Sequence, residues 1–216
     1  MKKWAFVSDF DGTITNQDFY SIVIEKYYPQ GRNLYKKWKA GQILDIDFLR
    51  AVFAEIHQDE AQIIEDIFSI PIDKYVPSFI KQVQESGGDF YILSAGTDYY
   101  IHHLLNRYAI DNVIVIANEG FYHEKNIHLN IDEKHPHYSQ RYGIDKAKVI
   151  EYLKGHYDKV YFIGDSEPDS HPASYADVTY AKDALQEILE EKEIPFVPVT
   201  TFKEVEEDLK AKGVLA

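Results

Sequence analysis

The sequence contains no cysteine, which excludes disulfides, a thiolate nucleophile and any cysteine-ligated zinc. It has no long apolar run either: nothing approaches the ~18 consecutive apolar residues that a membrane-spanning helix requires. The chain opens with lysines, but Asp9 and Asp11 interrupt the following apolar stretch too early for a secretion signal. Basic residues are scarce, with 23 Lys and Arg against 36 Asp and Glu and a net charge of −13. A surface that acidic repels phosphate backbones and anionic lipid, so neither nucleic acid nor membrane is expected as a partner. These features together read as a soluble cytoplasmic protein, and they carry no signal of oligomeric state. Any phosphate-bearing substrate would have to meet local positive charge, from a lysine or a bound cation.

Apolar residues are present in quantity, 45% of the 216 residues. That is enough for a core domain carrying a smaller insert. Lys3 to Phe10 is a short apolar run ending in acidic residues and glycine, the pattern of a buried central strand leading into a loop. A helical block follows. Thr15 to Asp18 has the spacing of a capping box, and helical patterns cover about 34–40, 46–57 and 60–68, with Gly41 and Pro71 as stops. From Pro77 the pattern changes to helix–strand alternation, with strands over 89–94, 113–118 and 159–164 and helices over 77–85, 99–107 and 146–154. His123 to Asn126 reads as the turn of a hairpin returning over 127–131. Alternation of this kind implies an α/β fold, a Rossmann-like parallel sheet covered on both faces. The expected organisation is a core from 1–15 and 76–216, with a helical cap, 16–75, inserted after the first strand.

Ligands of an open parallel sheet bind at the carboxyl ends of its strands. Three expected strands end in chemically capable residues: Asp9-Phe-Asp11-Gly12-Thr13, Ser94-Ala95-Gly96, and Gly164-Asp165-Ser166 with Asp169 behind. Asp9 and Asp11 are two apart and, on an extended backbone, point the same way. Such carboxylates repel one another, and Asp165 adds to the repulsion unless a cation sits among them. Mg²⁺ suits an all-oxygen site that keeps waters for substrate. Gly12 allows a tight turn close to a phosphate. Asp-x-Asp-Gly alone also describes a turn or a calcium loop, although the run of oxygen ligands that a calcium loop needs does not follow it.

Taken together, Asp9 to Thr13, Ser94, a lysine before the last motif, and Gly164-Asp-Ser-Glu-Pro-Asp169 resemble the four motifs of the haloacid dehalogenase-like phosphatases. The resemblance implies that Asp9 is the nucleophile, Asp11 the general acid/base and Ser94 a ligand of a phosphoryl oxygen. It implies that Asp9, Asp165 and the backbone carbonyl of Asp11 hold Mg²⁺, with Asp169 in support, and that Gly12, Asp18, Ala95 and Gly96 border the substrate. Lys146, at the start of an expected helix, is preferred over Lys148 as the motif lysine. The helical insert resembles the cap of the phosphoserine-phosphatase-like branch, in which Asp18 falls where a substrate-contacting glutamate is found. Val52 stands where that branch has a carboxylate-binding arginine, with Arg50 two residues away. A closer likeness is to the methionine-salvage phosphatases acting on a methylthio-enol-phosphate, through Thr13-Ile-Thr15, Asp18, and Ser94-Ala-Gly96 with Asp98.

The expected activity is therefore Mg²⁺-dependent hydrolysis of a small phosphomonoester through an aspartyl-phosphate. The alternatives are a phosphoserine or other amino-bearing phosphomonoester as substrate, a phosphotransferase, or a non-catalytic phosphate-sensing protein. Four histidines, His123, His128, His135 and His137, read as solvated loop residues, and His171 as a surface residue at a helix start.

Overall fold

The strand Trp4–Ser8 (β1) has no polar side chain until its last residue and is buried along its whole length. Only a strand flanked on both sides and covered on both faces has such a composition. In the computed structural model, which describes residues 3–215, β1 is the middle of a seven-stranded sheet. Four helices follow it: α1 (Phe19–Lys26), α2 (Gly31–Lys39), α3 (Asp45–Phe53) and α4 (Glu60–Phe68). Then come α5 (Val76–Glu85), β2 (Gly88–Thr97), α6 (Asp98–Arg107), β3 (Val113–His123), β4 (Asn126–Asn130), β5 (Tyr138–Ser139), β6 (Gly143–Ile144) and α7 (Lys146–Lys154). The chain closes with β7 (Lys159–Gly164), α8 (Ser170–Ala173), β8 (Val178–Ala181), α9 (Asp183–Glu191), β9 (Val197–Pro198) and α10 (Phe202–Ala211).

The strand order is β4-β3-β2-β1-β7-β8-β9, parallel throughout except for β4, which returns antiparallel on β3. The mixed α/β architecture with a mostly parallel sheet is the expected one. Alternate residues of the central strands feed opposite faces, as the pleat requires. Phe6, Phe90, Tyr161 and Tyr180 lie in one buried cluster, and Val7, Leu93, Phe162 and Ala181 in the other. The Phe6 ring lies 4.8 Å from Phe79 and 5.6 Å from Phe90. The apolar side chains of α1, α3 and α4, among them Phe19, Phe48, Phe53 and Ile67, join this first cluster. The helical block is therefore packed onto the sheet domain by continuous apolar contact.

The two crossings between that block and the sheet run side by side. Thr15 and Ile72 form an antiparallel bridge, Asn16 N–H donates to the Pro71 carbonyl (2.8 Å), and Asp73 N–H donates to that of Ile14 (2.9 Å). This pairing corrects one local expectation. Thr15 does not cap a helix, because its backbone is committed to the bridge; α1 begins after Asp18, whose side chain makes no capping bond. The hairpin turn is where the spacing puts it, with His123 paired to Asn126. β3 runs five residues beyond the expected end at Asn118, because Glu119–His123 pairs with β4. The short β5–β6 hairpin lies outside the expected elements, since two-residue strands leave no periodic signal.

Candidate active site

The three motif-bearing strands are neighbours, in the order β2-β1-β7, so their carboxyl ends form one edge. The chain leaves β1 for β2 on one side and later reaches β7 on the other, which makes this edge a topological switch point. Asp9 N–H donates to the Ile163 carbonyl (3.0 Å), fastening the loop after β1 to the end of β7.

Asp9, Asp165 and Asp169 bring carboxylate oxygens within 4.8 Å of one another. Lys146, the first residue of α7, is buried among them and donates to Asp9 Oδ1 (2.5 Å) and Asp169 Oδ1 (2.7 Å). Burial alone works against its charge, but the carboxylates of Asp169 and Asp9 outweigh that effect and raise its pKa. Lys146 is therefore a fixed cation. Lys148, the alternative, points elsewhere and donates to the Tyr138 carbonyl (3.1 Å). Burial, with the nearby charges of Asp9 and Asp169, pushes Asp165 up to about 9. Burial and the Asp9 charge likewise push Asp169 up to about 6 against the pull of Lys146. Asp169 is committed on both oxygens, since Oδ2 accepts the backbone N–H of Asp165 (3.0 Å) and Ser166 (3.4 Å). It shapes the turn that presents Asp165. Thr13 Oγ1 donates to Asp165 Oδ1 at 3.0 Å.

Gly12 adopts φ +79°, and a Cβ there would lie 2.5 Å from Asp165 Oδ2. Glycine at this position lets the two loops close on each other. It is not among the residues that line the cavity beside Asp9.

The Asp11 side chain is not part of the Asp9–Asp165–Asp169 group. Its Oδ2 accepts the Tyr100 hydroxyl (2.6 Å) and, more weakly, that of Ser94 (3.4 Å). Its Oδ1 is buried with no hydrogen-bond partner among the described residues. Burial, reinforced by the Asp18 charge, pushes Asp11 up to about 8. Asp9 and Asp11 thus have divergent environments, one beside a lysine and one in an apolar recess.

A cavity of ≈ 90 Å³ opens over these groups, with Asp9, Asp11, Ser94, Ala95, Gly96 and Lys146 on the sheet side. Asp18, Tyr20, Trp38 and Leu49 from the helical block face them. Beyond lies a wider space of ≈ 350 Å³ that reaches Tyr35, Lys39 and Arg141. Burial raises the pKa of Asp18, opposed by a bond from Tyr20 and the charge of Lys39. Val52 is fully buried in the core and Arg50 is exposed on α3, so neither enters the cavity. No histidine belongs to a cluster that could hold a metal among the described residues.

The structure adds residues that the motifs did not reveal. Lys182 is buried and donates to the Thr13 carbonyl (3.0 Å) and more weakly to that of Gly12 (3.3 Å). It follows the last residue of β8, so the strand-end rule applied to a fourth strand would have found it. Asn118 Nδ2 ties the Ala95 carbonyl (2.8 Å) to that of Tyr142 (2.9 Å). Arg141 bonds Asp45 at the start of α3 (2.8 Å) and Glu167 (3.2 Å). Tyr100 and Arg141 left no signal in the sequence, because their partners lie far along the chain.

The family model of the haloacid dehalogenase-like hydrolases matches residues 6–171. The chain belongs to this family. Among curated relatives, the 2-hydroxy-3-keto-5-methylthiopentenyl-1-phosphate phosphatase of Bacillus thuringiensis subsp. konkukian is 30% identical over 94% of each chain. That of Bacillus cereus strain G9842 is 29% identical with the same coverage. Among solved structures, a substrate-bound phosphoserine phosphatase complex superposes with a TM-score of 0.71 at 15% identity, covering 96% of this chain and 98% of its own. At that identity the likeness shows the fold. The phosphatase expectation drawn from the four motifs agrees with these relatives.

Proposed function

We propose that the protein is a Mg²⁺-dependent phosphomonoesterase that forms an aspartyl-phosphate on Asp9. We further propose that its substrate is a methionine-salvage type enol-phosphate, as for the relatives of 30% identity. The observation that carries the first part is the placement of Lys146, buried between Asp9 and Asp169 beside a recessed Asp11. The donor set suits a hard cation: it is all oxygen, and the burial of Asp165 among like charges calls for a positive partner. Asp9, Asp165 and the Asp11 carbonyl would hold the ion, which when bound would supply charge neutralisation to the phosphoryl oxygens.

The chain's own residues perform the remaining steps. Lys146 fixes the Asp9 carboxylate and offers positive charge to the incoming phosphate. Ser94, whose Oγ accepts the Gly96 N–H (2.9 Å) and reaches Asp11 Oδ2 only at 3.4 Å, turns its proton to a phosphoryl oxygen when substrate binds. Asp9 attacks phosphorus while Asp11, protonated in its recess, gives its proton to the leaving oxygen. Asp11 then takes a proton from the water that releases phosphate and regenerates Asp9. Residues 16–75 serve as the lid that reads the leaving group. Its Tyr20, Trp38 and Leu49 present aromatic and apolar surface, which suits an uncharged leaving group with an apolar end. Asp18 favours a second reading, an amino-bearing substrate such as phosphoserine. Against it, no arginine of the lid reaches the cavity to meet a carboxylate.

Phosphate release from p-nitrophenyl phosphate with Mg²⁺ and with chelator tests the reaction class. Turnover that persists at full rate under chelation would refute it. A panel containing the methylthio-enol-phosphate and phosphoserine decides the substrate, and preference for phosphoserine would establish the second reading.

The buried carboxylates also predict a linkage between metal, pH and stability. In the metal-free protein Asp165 and Asp11 hold protons up to about 9 and about 8, whereas unfolded aspartate releases them near 4. Stability from these groups is complete below that lower value and is lost as pH rises through 8 to 9. With chelator, Tm should therefore fall between pH 5.5 and 8.5. Mg²⁺ replaces the proton as the neutralising charge, so its stabilisation should grow over the same interval. A Mg²⁺ shift in Tm that shrinks as pH rises would contradict the assignment.

A further inference from the structure

Asp11 has two oxygens, and a general acid must hold its carboxyl in one fixed orientation toward the leaving group. The structure treats the two differently. Oδ2 receives the Tyr100 hydroxyl at 2.6 Å, with Ser94 Oγ at 3.4 Å, while Oδ1 is buried without a partner among the described residues. Tyr100 is itself 2% exposed, held between the Phe10 ring at 6.0 Å and the Phe19 ring of α1 at 5.5 Å. It comes from the first turn of α6, immediately after β2, and lines the cavity beside Asp11. The absence of a side chain at residue 96 makes the pair possible: a Cβ there would fall 1.8 Å from the Tyr100 hydroxyl and 2.9 Å from Asp11 Oδ2. The space at Gly96 is filled by this hydroxyl, so the contact is built into the site.

We propose that Tyr100 is a positioning residue for the proton-transfer step: its hydroxyl ties down Oδ2 of Asp11 and thereby fixes the orientation of the carboxyl that delivers a proton to the leaving oxygen. This rests on the phosphatase reading above and extends it. The step balances without another reactant. The carboxyl O–H bond of Asp11 breaks as the phosphorus–oxygen bond of the leaving group breaks, the proton goes to the departing oxygen, and Asp11 is left as a carboxylate. Tyr100 donates to Oδ2 throughout and transfers nothing. Without the hydroxyl the carboxyl is free to rotate, and the proton is presented in the right place only part of the time. Phe19 belongs to α1 in the lid, so its packing against the Tyr100 ring also couples the seating of the lid to the orientation of the acid.

The decisive experiment compares leaving groups. An alkyl phosphate needs its leaving oxygen protonated, whereas p-nitrophenolate leaves without help. The ratio kcat/KM reports only the steps through phosphoenzyme formation. For Tyr100→Phe, which keeps the buried ring, kcat/KM should fall roughly 10- to 50-fold on the alkyl ester but less than about 3-fold on p-nitrophenyl phosphate. Asp11→Asn should show the same discrimination with a larger loss, and serves as the reference. Equal losses on both esters would reduce Tyr100 to a packing residue and overturn the proposal, as would no loss on either. Failure of the wild-type enzyme to release phosphate from either ester would instead overturn the phosphatase reading itself. The two failures are therefore distinct.

Discussion

Asp9→Asn is expected to lower phosphatase turnover by at least about 10³-fold while leaving the fold intact. The amide is nearly isosteric, so the buried position stays filled. The carboxylate oxygen that must bond to phosphorus is replaced by a far less nucleophilic amide, however, and no neighbour can take over. Asp11 faces Tyr100 and Ser94, Asp169 is held by Lys146 and two backbone N–H groups, and Asp165 is bonded to Thr13. The neutral amide would also weaken the partnership with Lys146, but Asp169 remains to neutralise that ammonium. Phosphate release and a melting curve on the same sample provide the check. Retained turnover would show that the nucleophile has been misassigned.

Lys146→Met is expected to damage both stability and catalysis. The lysine carries the charge that neutralises Asp9 and Asp169, which are themselves buried. Removing one partner of a buried ion pair and leaving the other uncompensated costs about 3–5 kcal/mol. Asp169, already pushed up to about 6 with the lysine present, rises further without it. The variant should therefore be least stable relative to wild type above pH 7 and recover at pH 5, where its carboxyls are protonated. Turnover should fall by roughly 10²–10³-fold, the scale for losing one preorganised charge at the reacting centre. Lys148→Met is the control, since that ammonium is exposed and bonded to a surface carbonyl. Comparable urea midpoints for the two variants would refute the central role of Lys146.

Both predictions concern residues that are legible in the sequence alone, and the reason is physical. Asp9, Ser94 and the last aspartates each sit within a few residues of a strand end, so apolar runs followed by polar residues reveal them. The same logic marks the helix start at Lys146, which follows the capping residue Asp145. Residues whose function depends on remote partners leave no local pattern. Tyr100 reads as one more aromatic at helical spacing, and only the approach of α6 to the loop after β1 turns its hydroxyl toward Asp11. Arg141 lies in a loop between two-residue strands, and its partners Asp45 and Glu167 are far away in sequence. The supposed cap at Thr15 failed for a related reason. Local spacing offered a helix start, but a backbone bridge to Ile72, more than fifty residues on, claimed that segment first.

The sequence by itself determined the fold class, the order of the motifs and the identity of the carboxylates, because strand burial and strand ends are one-dimensional patterns. The tertiary structure alone decided how those carboxylates differ. Asp9 and Asp11 are indistinguishable as neighbours two residues apart. Lys146 pairs with one, while burial raises the pKa of the other beside Tyr100, because a group's charge is fixed by the solvent and partners that folding assigns to it.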